Sequence, residues 1–214
     1  MKGILAIMAI AGGTVIYNMQ PPHADQALIR SEQPVLTEKA NAFSIDTAAS
    51  TITWVGTKPS GKHVGTIKLS VGTMEVKKDN IKSGNFTIDM NTIADVDMKG
   101  SKGAGGLEKH LKSADFFDVE KFPTASFEIT GFARIDPNAK MIMEGATHII
   151  SGNLTMKGIT KNIKFPAIVS FQEKILKAQA DFNIDRTQWG IDYGTAGGKV
   201  ATDINLKLDI VANN

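Results

Sequence analysis

His110-Leu-Lys-Ser-Ala-Asp-Phe-Phe-Asp-Val-Glu-Lys-Phe-Pro-Thr-Ala-Ser-Phe-Glu-Ile-Thr130 joins two incompatible periodicities, and the junction decides the fold. Leu107, His110, Leu111 and Ala114 recur at helical spacing and mark one stripe of a short helix over 107–114. Pro123 closes that segment, because a proline inside a helix loses a hydrogen bond and clashes with the preceding turn. From Ala125 the period becomes two: Ala125, Phe127 and Ile129 share one face, Ser126, Glu128 and Thr130 the other. The block predicts one helix beside a predominantly antiparallel sheet. It contains no nucleophile, metal cage or phosphate loop.

The same alternation recurs on both sides. Ile52 and Trp54, then Ile67, Leu69 and Val71, then Phe86, Ile88 and Met90 precede the block. After it come Ile163 to Phe171, Ala178 to Ile184 and Ile204 to Ile210, each alternating with neighbours that are mostly polar, with Pro166 in one of the alternate positions. With strands near 125–132 and 142–156 the total is about eight, several longer than the usual five or six residues. One short helix cannot cover so many apolar faces, which leaves a sandwich or a sheet closed on itself. Closure removes exposed edges, and about eight strands leave an interior that side chains either fill or share with one ligand. The barrel is the preferred architecture. The stretch 93–106 reads as a glycine-rich crossing into the helix, not as strand; 58–61 and 193–199 read as loops.

The N-terminus is of another kind. Lys2 precedes an uncharged, apolar run over 3–17, shorter than the ~20 residues of a membrane span. Residues 1–20 are therefore expected to be a signal peptide or an uncleaved signal anchor, with Ala24 and Ala27 as cleavage candidates. The expected location is periplasmic or secreted, with membrane association through this segment if it is retained. Pro21-Pro22 and Pro34 mark 21–42 as a linker. The folded unit is expected over 43–211.

Composition excludes several classes. The 214 residues carry a net charge of only +2, with no electrostatic footprint for nucleic acid. Cysteine is absent, which removes disulfides, thiolate metal sites and cysteine catalysis. Asp95-Val-Asp97-Met-Lys-Gly100 resembles the start of a calcium loop but has Lys99 at a ligand position and Gly106 where a glutamate is required. The histidines His23, His63, His110 and His148 show no zinc-site spacing. No metal site and no catalytic group is assigned.

The candidate ligand-binding residues are the inward apolar set Trp54, Leu69, Phe86, Ile88, Phe127, Ile129, Phe165 and Phe182, with His63, His148, Arg186 and Trp189. His63 starts a long strand, where it could guard a mouth. His148 shares a face with Ala146, Ile150 and Leu154, which would point it inward; for each histidine a structural or surface role is the other reading. Arg186 has two readings of equal weight: it holds an anionic head group, or it locks a corner by stacking on Trp189 or pairing with Asp185. The apolar set has two readings as well. It lines a hollow for a long chain, at about 0.8 kcal/mol per methylene withdrawn from water, or it fills the barrel itself.

Three segments carry a family resemblance: Leu107 to Thr130, Gly152-Asn-Leu-Thr-Met-Lys-Gly-Ile-Thr-Lys161, and Asp185-Arg186. Together they resemble the YceI-like family of exported bacterial lipocalin-like proteins that bind polyisoprenoids or other long-chain lipids. The resemblance implies an elongated eight-stranded antiparallel barrel with an inserted helix, and an isoprenoid or similar ligand along its axis without any cofactor. It implies non-catalytic binding. An enzyme on a lipidic or amide substrate, with His63 or His148 as base, and a filled-barrel stress or structural protein of the envelope are the alternatives. Gly103-Ala-Gly-Gly106 departs from the basic or histidine-containing segment that many members carry before the helix. A homodimer is compatible with this fold, though no exposed stripe demands one.

Overall fold

The computed structural model describes residues 7–10, 13–16, 39–101, 103–136, 138–139 and 143–214. The chain divides into two units, Met1–Thr37 and Glu38–Asn214. In the first, β1 (Ile7–Ile10) and β2 (Gly13–Ile16) pair antiparallel. Among the described residues no helix is long and apolar enough to cross a membrane. Residues 17–38, most of the expected linker, lie outside the described residues. Its last two positions are not linker: Asn41 already opens the first strand of the second unit.

That unit is a closed antiparallel barrel. Its strands are β3 (Asn41–Ile45), β4 (Thr51–Lys58), β5 (Gly61–Lys77), β6 (Asn80–Asp95), β7 (Thr124–Arg134), β8 (His148–Met156), β9 (Ile159–Gln172), β10 (Ile175–Asp185) and β11 (Asp203–Asn213). Each strand from β5 onward pairs with the next, and β10–β11 pairing continues round to β3 and β4. β3 and β4 share one position, since both lie between β5 and β11, with Phe43 opposite Met74 and Trp54 opposite Gly65. Asp46 makes the break between them: its carboxylate accepts the Ala48 and Ala49 N–H groups and its carbonyl accepts that of Ser50. Counted by position the barrel therefore has eight strands. Two-residue turns at Lys78-Asp79 and Lys157-Gly158, both left-handed at each residue, match the strand twist and close the β5–β6 and β8–β9 hairpins.

Bulges correct the simple alternation. The β5–β6 register shifts between Leu69 and Val71, so inward parity changes along β5. Leu69 is buried, Val71 is 56% exposed, and Met74 and Val76 are buried again. Val71, expected on the inner face, therefore points to solvent. β6 continues to Asp95, into the stretch from 93 expected to be a crossing and not strand. Thr92 turns its hydroxyl to the Asp89 carbonyl and accepts the Lys68 N–H, which shifts the parity and buries Ile93 and Asp95. The strand expected from 142 starts at His148.

Two glycines admit aromatic rings. A Cβ on Gly65 would lie 2.1 Å from the Trp54 ring and from the Ala94 carbonyl. One on Gly152 would lie 2.2 Å from Phe127. At both positions the missing side chain is the space in which the ring rests on the neighbouring strand.

Helix α1 (Ala104–Lys112) starts three residues before the predicted 107 and ends where Ser113 donates its hydroxyl to the His110 carbonyl. Its apolar stripe and the turn after it pack with Trp54, Met90, Leu154 and Trp189 at one end of the barrel. Phe43, Val76, Ile81, Leu176 and Ala212 belong to the packed cluster at the other.

Candidate functional site

Between these clusters the barrel encloses a cavity of about 400 Å³. Along β10 and the residue just after it, its wall runs from Ala178 to Arg186. Eight residue steps at ~3.3 Å and a strand tilt near 40° give an axial length of roughly 20 Å. Trp54, Leu69, Phe86, Ile88, Phe127, Ile129, Phe165 and Phe182 all line it, as the alternation predicts. Aromatic rings band its middle: Phe165 and Phe182 stack at 4.1 Å, and Phe127 lies 5.8 Å from Phe165. The floor is made by Met74, Ile81, Ile150 and Ala167. Leu107, Leu111, Phe116 and Phe117 roof the opposite end. These roof residues were visible in the sequence as a helical stripe and a paired phenylalanine, but the stripe does not say what it faces.

Polar side chains on the wall gather at the roofed end: Thr57, Lys58, His63, His110, Arg186 and Tyr193, with Gln179 the exception on β10. His63 Nδ1 lies 3.1 Å from Asp97 Oδ2, and the Val64 N–H donates to Asp97 Oδ1 at 2.7 Å. That backbone donor, with His63 adding to it, holds the Asp97 carboxyl below the usual carboxylate range. His110 Nε2 lies 3.0 Å from Asp115 Oδ2, and its ring meets Phe116 and Tyr193 edge-on. The calcium-like stretch is a capped turn, with Asp95 Oδ1 accepting the Met98 N–H. Among the described residues no three His, Cys, Asp or Glu side chains form a metal-binding group.

Two expected site residues lie off the wall. His148 does point inward, but below the floor, where it stacks on Phe132 at 4.3 Å with Nδ1 2.8 Å from the Thr147 hydroxyl. Trp189 is 2% exposed in the turn Arg186–Trp189 and donates its indole N–H to the Leu154 carbonyl at 3.1 Å. It packs at the roofed end as a structural residue.

Arg186 does border the cavity, yet its donors are committed. Nε bonds the Ala201 carbonyl, Nη1 that of Ile191, and Nη2 those of Tyr193 and Val200. Neither corner lock expected from the sequence describes this arrangement. The guanidinium ties both limbs of the 190–202 loop to the end of β10, and Asp185 instead caps the turn through Thr187.

A closed antiparallel barrel with an apolar hollow and polar groups at one rim defines a lipocalin-like fold. The YceI-like domain family matches residues 43–212, and the chain belongs to that family. A UPF0312 protein of Pseudomonas putida (strain GB-1) is 33% identical over 136 residues, 59% of this chain and 66% of that protein. Protein YceI of Salmonella arizonae is 33% identical over 103 residues, 48% of this chain and 47% of that protein, so the match spans about half of that relative's length. Among solved structures, Burkholderia cenocepacia BcnA superposes with a TM-score of 0.64 at 20% identity, over 79% of this chain and 99% of its own. A polyisoprenoid binding domain from Saccharophagus degradans gives 0.56 at 14% identity, over 80% and 97%. At these identities the two structures speak to the fold.

Proposed function

We propose that this protein binds a long apolar molecule, an isoprenoid or a similar lipid, along the barrel axis, and carries or stores it without chemistry. The observation that carries this reading is the cavity itself, some 20 Å of apolar wall with polar side chains gathered near one end. About sixteen carbons withdrawn from water contribute ~13 kcal/mol gross. Association costs about 4–15 kcal/mol, so a long chain binds where a short one does not. Rim residues such as His63 and Tyr193 then orient the ligand. The polyisoprenoid binding named for the Saccharophagus domain fits a ligand of this class.

The test is organic extraction of the purified protein followed by mass spectrometry, with uptake of added isoprenoid as the second readout. The absence of both a bound lipid and uptake would overturn the reading. An envelope location is part of the proposal, supported by the uncharged stretch behind Lys2. Recovery of the full chain in the cytoplasmic fraction would remove that part. The His63–Asp97 contact at the rim favours one second reading, an enzyme on a lipidic or amide substrate with His63 as base. A turnover unchanged in His63→Gln would end it.

A further inference from the structure

The wall of the barrel is incomplete along one seam. β9 and β10 pair from Gln172–Ile175 to Ile168–Gln179 and no further, although both strands continue. The neighbouring ladders do not stop there: β8 stays paired to β9 from Ala167 down to Ile159, and β10 to β11 as far as Asp185. Pro166 explains where the pairing fails. Ala167 directs its carbonyl toward the β8 side, to Thr147, so backbone alternation turns Pro166 toward β10. Facing Asp181 in the continued register, it brings no N–H to the ladder.

Beyond that point a slot of about 320 Å³ lies between the strands, walled by Lys161 to Lys164 on one side and Phe182 to Asp185 on the other, with Gln188 and Trp189 of the following turn also on its wall. Ile163, Phe182 and Ile184 belong to its wall and to that of the main cavity. Side chains beside it turn away from the gap. Asn162 bonds Asn153 and Thr130, whereas Asp181 and Asn183 bond Asn205. Phe182, which borders both spaces, stacks on Phe165 of the cavity wall, one ring from each strand. The β6–β7 ladder is equally short, but there the Met90 N–H bonds the Pro123 carbonyl and Gly84 is packed by Ile129 and Met74.

We propose that the unpaired β9–β10 seam is a side entrance through which an apolar chain slides into the barrel, past Phe165 and Phe182. The inference rests on the lipid-holding reading above. A side route lets the chain enter lengthwise without lifting α1 and the aromatic roof. It makes Pro166 the residue that keeps the passage open and the phenylalanine pair its gate.

The test uses a conjugated-polyene fatty acid as probe, its emission sensitised by Trp54 on the cavity wall. Delipidated full-length protein is loaded, and release into excess phosphatidylcholine vesicles is followed by stopped flow. The chain has no cysteine, so Lys164→Cys with Asn183→Cys places a single thiol pair across the slot, bridged by oxidation or a short bifunctional reagent and verified by mass. The bridged form is expected to release probe at least tenfold more slowly than its own reduced form. Pro166→Thr, which returns an N–H to the ladder, is expected to slow exchange in the same direction. Equal rates in bridged and reduced protein would sink the side entrance alone. Wild-type protein that takes up no probe would sink the lipid-holding reading itself.

Discussion

Replacing Arg186 by methionine separates its two sequence-level roles. The guanidinium is 3% exposed and donates to four backbone carbonyls, those of Ile191, Tyr193, Val200 and Ala201. Hydrogen bonds from a charged donor are worth about 1.5–3 kcal/mol each to remove. The gross loss is therefore ~6–12 kcal/mol. Two effects reduce it: loop 190–202 can relax until water reaches the carbonyls, and a desolvated cation no longer has to be buried. A net loss of about 3–5 kcal/mol remains, a large part of the ~5–15 kcal/mol that holds a domain together. With an m-value near 2 kcal/mol/M, the urea midpoint should fall by about 2 M. Arg186→Lys keeps the charge but not the planar fork, and should recover less than half. The assay is urea unfolding followed by the fluorescence of Trp54 and Trp189, beside probe affinity measured well below the transition. A midpoint within ~0.5 M of wild type, together with a tenfold loss of affinity for an anionic lipid, would refute the structural role and restore the head-group role.

Ala180 lies on the cavity wall, and Ala180→Trp should abolish lipid uptake at an overpacking cost of about 1–3 kcal/mol; undiminished uptake would place the hydrocarbon elsewhere. Gly152→Ala should cost about 3 kcal/mol in urea unfolding, because its Cβ meets both Phe127 and the Glu128 carbonyl. Adding Phe127→Leu should recover only part of that loss, since the carbonyl stays in place, and full recovery would show that the ring alone sets the limit. Burial, with the Arg134 charge second, holds the His148 imidazole below its ordinary 6.5. The unfolded chain then binds the proton more readily, so stability is full above about 6.5 and falls as pH drops from there toward the folded value. His148→Phe should flatten stability between pH 7 and 5, and an unchanged slope would assign it to another group.

Much of the barrel was legible because one wet face and one dry face impose period two on each strand. Ile52, Trp54, Phe86, Ile88, Phe127, Phe165 and Phe182 were placed on the cavity wall by that pattern alone. The pattern failed where the register slips. Nothing local distinguishes Val71 from Leu69; the bulge between them is a property of the β5–β6 pair. His148 shows the complementary failure. Its inward parity was correct, but parity does not tell a residue at the cavity's level from one packed beneath its floor. Trp189 and Arg186 were conspicuous in sequence as a polar and aromatic cluster, and their roles came from distant partners, Leu154 and the 190–202 loop. Pro166 sat in an otherwise regular alternation, and its consequence depends on which neighbour its backbone faces.

The amino-acid sequence by itself determined the all-β architecture, the helix before Pro123 and the greasy faces of the strands, since these follow from spacing between near neighbours. Tertiary structure alone decided that the interior is hollow and that one seam stays unzipped. Both depend on volumes and hydrogen bonds summed over strands far apart in the chain, which no local periodicity encodes.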